Sequence, residues 1–230
     1  MVRVLDVGSS VLATLTRAAQ GLSVGPLGPR PEQPLVLFEF ESCPFCRKVR
    51  EGLTALDLEA YVRPCPKGGH RYRDGVVERG GKAQFPYLVD PNTGAEMYES
   101  EAILDYLFGR YGKGPPPFLL RGALAAATGS VASGLRMGKG TRVEPSKPPA
   151  QPLELWSFEA SPFSRIVREK LCTLELPYRL HNVGRESPSR EAFVARSGKM
   201  QVPYLEDPNT QCAMFESADI VAYLDSTYGA

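Results

Sequence analysis

Hydrophobic and polar positions alternate between two rhythms along this chain. Leu35–Phe40 is a short apolar run with the length and β-branched and aromatic content of a buried strand. It leads into a segment with Val49, Leu53 and Leu56 on one face, the spacing of a helix. Ala60–Arg63 reads as a second strand, parallel to the first because a helix joins them. Pro86–Val89 and Ala95–Tyr98 flank Asp90-Pro91-Asn92-Thr93-Gly94, a turn-forming set, and so predict an antiparallel hairpin. Ile103, Leu104, Leu107 and Phe108 then predict a helix that Ser100 caps. Two further helical stripes lie outside this unit. One is Val11, Leu12, Leu15, Ala18, Ala19 and Leu22, opened by a Gly8-Ser9-Ser10 cap; the other is Leu120, Leu124, Ala127, Val131 and Leu135. Proline- and glycine-rich connectors follow each stripe.

The whole unit recurs. An offset of 118 carries Cys43-Pro44-Phe45-Cys46 to Ser161-Pro162-Phe163-Ser164 and Val49-Arg50-Glu51 to Val167-Arg168-Glu169. An offset of 117 carries Pro86-Tyr87-Leu88 to Pro203-Tyr204-Leu205 and Glu99-Ser100 to Glu216-Ser217. The expected organisation is therefore a helix and connector over 1–30, a first domain over 31–112, a helix and linker over 113–152, and a second domain over 153–230. This repeat is the strongest statement the chain makes about itself.

Composition adds limits. The 230 residues are 43% hydrophobic and 23% charged, ordinary values for a globular protein, and a net charge of +1 gives no case for nucleic acid. Five cysteines without regular spacing suit a reducing compartment better than a secreted disulfide framework. No secretory signal is visible at the start of the chain and no apolar run is long enough to span a membrane. Charge is unevenly spread. The two proposed domains are each −3, whereas 1–30 and 113–152 together are +7. Those helices are expected either to dock on an anionic membrane or a membrane-protein complex, or to pack together with their basic ends in water. Their small residues favour mutual packing.

Candidate chemistry sits at Cys43 and Cys46. Thiols three residues apart at the first turn of a helix share a side, and the free N–H groups and dipole there favour a thiolate. Arg47 and Lys48 add positive charge to the same turn. Cys43 is the expected nucleophile and Cys46 the resolving thiol. Zinc would need ligands the chain does not offer, and His70 and His181, read as loop residues, supply none. Cys65 is either a packed side chain or a neighbour of the active face; Cys172 and Cys212 carry no assigned role.

With strand, C-P-F-C, helix, Gln84-Phe85-Pro86-Tyr87-Leu88 and Tyr98-Glu99-Ser100 in hand, the chain resembles glutaredoxins and the N-terminal domain of glutathione transferases. Over nearly its full length it is similar to the tandem thioredoxin-fold proteins of plants and algae. The resemblance implies an α/β fold of two thioredoxin-like domains, each a four-stranded mixed sheet flanked by helices. It also implies cis bonds before Pro86 and Pro203, following Phe85 and Val202, and glutathione held by Phe85, Pro86, Glu99 and Ser100. A Ser100 that is only a helix cap would read the same. In the second domain Ser161, Ser164, Val202, Pro203, Glu216 and Ser217 are the counterparts. Serines cannot form a disulfide, so that domain is expected to be redox-silent, or else to use Ser161 as a serine-type transferase does.

Three functions follow: a glutathione- or dithiol-dependent oxidoreductase acting on glutathione or a protein disulfide, a redox-inactive or redox-regulated assembly scaffold, and a serine-type glutathione transferase. A plastid location, stromal and facing the thylakoid, is implied by the resemblance alone.

Overall fold

The structure is a computed structural model describing residues 2–230. Helix α1 (Val2–Leu15) precedes a first unit of β1 (Leu35–Glu39), α2 (Pro44–Ala55), β2 (Ala60–Pro64), α3 (Arg73–Gly80), β3 (Tyr87–Asp90), β4 (Ala95–Tyr98) and α4 (Ser100–Tyr111). A 3₁₀ turn (Phe118–Leu120) and α5 (Gly122–Leu135) lead to the second unit. It comprises β5 (Leu153–Ser157), α6 (Pro162–Thr173), β6 (Tyr178–Asn182), α7 (Ser189–Ser197), β7 (Tyr204–Asp207), β8 (Cys212–Phe215) and α8 (Ser217–Tyr228). Each unit has the thioredoxin-like arrangement that the order of its patterns predicts. Leu35, Leu37, Val49, Leu53, Ile103, Leu104 and Leu107 form the first core, and Leu153, Leu155, Val167, Leu171, Leu205, Ile220 and Leu224 the second.

The two sheets are one. Strand order is β4-β3-β1-β2-β6-β5-β7-β8, with β2 and β6 paired antiparallel at the centre. Tyr61 lies opposite Arg179, its own counterpart in the repeat, while Ala60 faces Leu180 and Val62 faces Tyr178. That is the register of a two-fold related, self-complementary contact, made here within one chain. Pairing these strands hides the edge that each unit would otherwise expose.

The segments outside the units cross over. Helix α1 packs on α6 of the second unit and α5 on α2 of the first, and the two helices pack on each other. The connector after α1 pairs at Ser23 with Arg185, and the connector after α5 pairs at Lys67 with Arg142. Gly21 and Gly140 make this possible. Both have positive φ, and a Cβ on either would strike the Cβ of Glu159 (2.7 Å) or Glu41 (2.8 Å).

Those glutamates belong to a buried ionic layer between the units. Glu159 pairs with Arg50 at 2.9 Å, with Arg168 at 2.8 Å and with Arg47 at 3.4 Å; Glu41 accepts from Arg168 at 3.2 Å; and Arg50 also meets Glu39. All are at most 3% exposed. Arg17 reaches Glu51, and its repeat counterpart Arg136 reaches Glu169 at 2.6 Å. Burial would raise the Glu159 carboxyl, yet Arg168, Arg50 and Arg47 hold it down at about 2. Glu39 goes the other way. Burial outweighs Arg50 there and pushes it to about 7.

Four expectations change. Helix α1 spans Val2–Leu15, not a helix opened by Gly8-Ser9-Ser10: the Ser9 hydroxyl donates to the Asp6 carbonyl (3.0 Å) and Ser10 to Pro162 (2.7 Å), while Ala18 and Ala19 have positive φ beyond the helix end. On α1 and α5 the small residues Ala13, Ala125, Gly129 and Ala132 face inward with Arg17 and Arg136, so Leu5, Leu12, Leu15, Leu124 and Val131 face outward. Close helix approach selects the small side chains for the interior, and the surface shown is more apolar than basic. Ser100 does not cap α4; Glu99 holds the cap position at φ 68°, and Ser100 is the first helical residue. His181 lies in β6, where Nδ1 meets Glu59 at 2.7 Å across the junction and Nε2 meets Glu154 of its own unit at 2.5 Å.

Glu159→Gln should cost about 3–5 kcal/mol in urea unfolding, because it strands buried arginines. In the unsubstituted protein a carboxyl held at about 2 against an ordinary 4.5 gives stability that is complete above about pH 4.5 and lost as pH falls toward 2. The variant should lack that part of the acid dependence.

Candidate active site

Leu35–Glu39 ends beneath the first turn of α2, and Pro44 at the first helical position starts that helix directly after Cys43. Cys43 is the N-cap residue: its sulfur accepts from the Cys46 backbone N–H at 3.3 Å. The Phe85 carbonyl, just ahead of the cis bond to Pro86, lies 3.9 Å from the same sulfur. Val202–Pro203 is cis as well.

The two thiols are driven apart in acidity. A hydrogen bond from the Cys46 side chain, working against burial and helped by the backbone N–H groups of Cys46 and Phe45, pushes Cys43 down. Burial first, then the adjoining Cys43, pushes Cys46 well up. Cys43 is 4% exposed and Cys46 0%. Arg47 and Lys48 do not contribute as the sequence suggested, because Arg47 turns to Glu159 and Lys48 to Glu101. The thiolate is favoured by local hydrogen bonds rather than by those charges. Cys65 joins the apolar cluster around the site with Cys43, Cys46, Val76, Phe85 and Tyr87, and burial raises its thiol. Cys172 is buried against the Gly140 carbonyl at 3.2 Å.

Glu99 and Ser100 stand at the start of α4. The Glu99 carboxylate accepts from the Gln84 side-chain amide at 2.5 Å, tying it to the loop that carries Phe85 and Pro86. Glu99 and Ser100 line a groove of about 620 Å³ with Phe45, Lys48, Glu101 and the start of α5. Cys43, Phe85 and Pro86 lie outside that lining, so the expected glutathione residues form two adjoining groups. A carboxylate placed at the first turn of α4 would meet free backbone N–H groups there.

Helix α5 covers the cysteine loop. Gly129 sits so close to Pro44 that a Cβ there would meet the proline Cβ at 3.1 Å. Sequence patterning gave no hint of this cover; only the crossing of the connectors puts α5 here.

The second unit repeats the geometry without the sulfur. The Ser161 Oγ accepts from the Ser164 N–H at 3.2 Å, Gln201 donates to Glu216 at 2.6 Å, and Ser217 is the first residue of α8. The Ser164 hydroxyl has no partner among the described residues. Here α1 is bonded down: Ser10 donates to the Pro162 carbonyl and Thr14 to the Ala160 carbonyl at 2.9 Å.

This geometry agrees with comparison to known families. The profile of the family described as glutathione S-transferase, N-terminal domain, matches residues 37–116 and again 155–230. The chain belongs to this family, twice over. Neither the search of curated proteins nor that of solved structures gave a match. A second copy of the N-terminal domain stands at 155–230, and the helices outside the units, α1 and α5, are spent on covering the two cysteine-loop positions.

Alkylation should therefore concentrate on Cys43, with a rate rising through a pH below the ordinary thiol value near ~8.5. Peptide mapping of the labelled cysteine across pH checks this. Labelling mainly at Cys46, or a Cys43 titration at or above that value, would contradict it.

Proposed function

We propose that this protein is a glutathione-dependent thiol-disulfide oxidoreductase working through Cys43 and Cys46, in which the second unit serves binding and geometry. The supporting observation is the hydrogen-bonded Cys43 sulfur at the N-cap of α2, made more acidic than its neighbour Cys46. The Cys43 thiolate attacks one sulfur of a substrate disulfide, forming a mixed disulfide and expelling the other half as a thiolate. Cys46, once deprotonated, attacks the Cys43 sulfur; the Cys43–Cys46 disulfide forms and the second thiolate leaves. The substrate gains two electrons. Two glutathione molecules return the pair to dithiols and leave as glutathione disulfide.

The Phe85 backbone beside the sulfur suits the cysteinyl part of glutathione, and Glu99 with the start of α4 suits its γ-glutamyl end. A serine-type transferase at Ser161 is the weaker reading, since its Oγ accepts from the Ser164 N–H and α1 is fastened over its loop. A reducing compartment, for which the plastid stroma is our reading, follows from cysteine usage and family resemblance.

In a glutathione-coupled disulfide assay, Cys43→Ser should abolish turnover. Cys46→Ser should retain attack but accumulate mixed disulfides on Cys43. Activity of the unsubstituted protein no higher than the background without protein would defeat the proposal.

A second reading is favoured by one observation. Leu5 (66% exposed), Leu12, Leu15, Leu124 and Val131 form an outward apolar face on α1 and α5, and exposed Arg121 and Lys139 are nearby in sequence. Such a face suits a scaffold or assembly role at an anionic membrane surface, or on a thylakoid membrane-protein complex. Among the described residues no helix is long and apolar enough to cross a membrane. Flotation with anionic liposomes should show binding that Leu12→Asp together with Val131→Asp removes; flotation unchanged by these substitutions would dismiss the membrane role.

A further inference from the structure

The two halves differ at one place where the repeat predicts likeness. In the first unit the 3₁₀ turn Phe118–Leu120 seats against α2 and α5, with Leu120 buried in the core cluster that includes Leu104 and Phe108. The Leu119 carbonyl there accepts from Arg17 at 3.3 Å. The equivalent surface of the second unit lies along α6 and α8, and among the described residues it is open. A groove of about 570 Å³ runs over Ile166, Glu169, Lys170, Thr173 and Val221. Their counterparts in the first unit are Lys48, Glu51, Gly52, Ala55 and Leu104.

The correspondence extends to the hydrogen bonds around it. Arg17 donates to the Ala125 carbonyl and the Thr128 hydroxyl; Arg136 donates to the Asp6 carbonyl and the Ser9 hydroxyl, the repeat equivalents. The next acceptor breaks the rule. Where Arg17 takes the Leu119 carbonyl, Arg136 takes the carboxylate of Asp6 at 2.6 Å. Asp6 thus supplies the electrostatic role of the missing turn, but among the described residues nothing supplies its leucine. By register the residue matching Leu120 is Met1, which lies outside the described residues.

We infer that this groove is a docking site for a partner peptide whose tight turn presents adjacent large aliphatic side chains, as Phe118–Leu120 does in the other half. One aliphatic group seats between Ile166 and Val221 in the place that Leu120 holds against Leu104. The far end of the groove is polar. Lys170 reaches Glu144 at 3.0 Å and Asp225 at 2.9 Å, where the first unit has Gly52 and Phe108. Lys139 pairs with Asp6 at 2.6 Å on the near rim. The occupant is therefore a peptide turn with one apolar edge and polar flanks, rather than a wholly apolar helix.

The occupant's chemistry is available from the chain itself. A capped peptide with the sequence of residues 115–120, Pro-Pro-Pro-Phe-Leu-Leu, serves as the probe against the full chain. Isoleucine occurs only at positions 103, 166 and 220, so a methyl-labelled spectrum has one reporter in the groove and one in each core. Peptide should shift the Ile166 methyl saturably and leave Ile103 in place. Val221→Asp should weaken that binding at least tenfold, with an unmoved Ile103 methyl reporting an intact fold. No Ile166 shift at millimolar peptide would overturn the assignment, as would a shift that Val221→Asp leaves unchanged. An Ile166 shift that grows with protein concentration alone would assign the groove instead to a second copy of this chain.

Discussion

Buried charge governs this structure. Glu41, Glu159, Arg50 and Arg168 are withdrawn from water at the junction of the units, and each finds a partner across that junction. Removing such groups from solvent costs several kcal/mol per ion, a cost the junction incurs and these pairs across it offset. The crossing connectors follow from this, because Gly21 and Gly140 close the layer by lying directly on the glutamates. What reads as two domains in tandem behaves physically as one body with an eight-stranded sheet.

The same layer shapes the cysteine site. Arg47, one residue beyond Cys46, is drawn to Glu159, and Lys48 is drawn to Glu101, so neither faces the thiolate. Acidity at Cys43 then rests on backbone donors and on Cys46, which are fixed by the helix start itself. Glu39 at the end of β1 is pushed up to about 7, because burial and the neighbouring glutamates outweigh Arg50. It raises rather than lowers the cost of ionising both thiols.

The repeat has diverged by function of position. Over the serine loop, α1 is fastened through Ser10 and Thr14; over the cysteine loop, α5 presents Gly129 and makes van der Waals contact with Pro44. Hydroxyls at those positions tie α1 to the loop beneath it, whereas α5 is bonded through Arg17, which donates to the Ala125 carbonyl and the Thr128 hydroxyl. On the opposite flank the first unit is sealed by Leu120 and the second is not.

Much of this was legible in the residues. Apolar runs, the hairpin's turn residues and period-3.6 stripes marked the four strands of the first unit and the helices α2 and α4, and the repeat carried them to the second unit, because each element has one face in a core. The offset between Cys43-Pro44-Phe45-Cys46 and Ser161-Pro162-Phe163-Ser164 disclosed the duplication, and spacing alone brought Cys43 and Cys46 together at a helix start. The charged pairs were also present as repeats: Arg50 with Arg168, Glu41 with Glu159, Arg17 with Arg136 and Glu51 with Glu169. Their meaning was hidden, since a charged residue on a helix reads as solvated until another surface arrives to bury it. Helices α1 and α5 differ from their sequence pattern for the same reason. Their leucines suggested an inward stripe, but close packing on the opposite unit demanded small residues inside and left the leucines out. Local sequence determines which segments can form an element and which face can be buried. Only the tertiary structure decided which surfaces meet, because burial of a charge or exposure of a leucine depends on a partner distant in the chain.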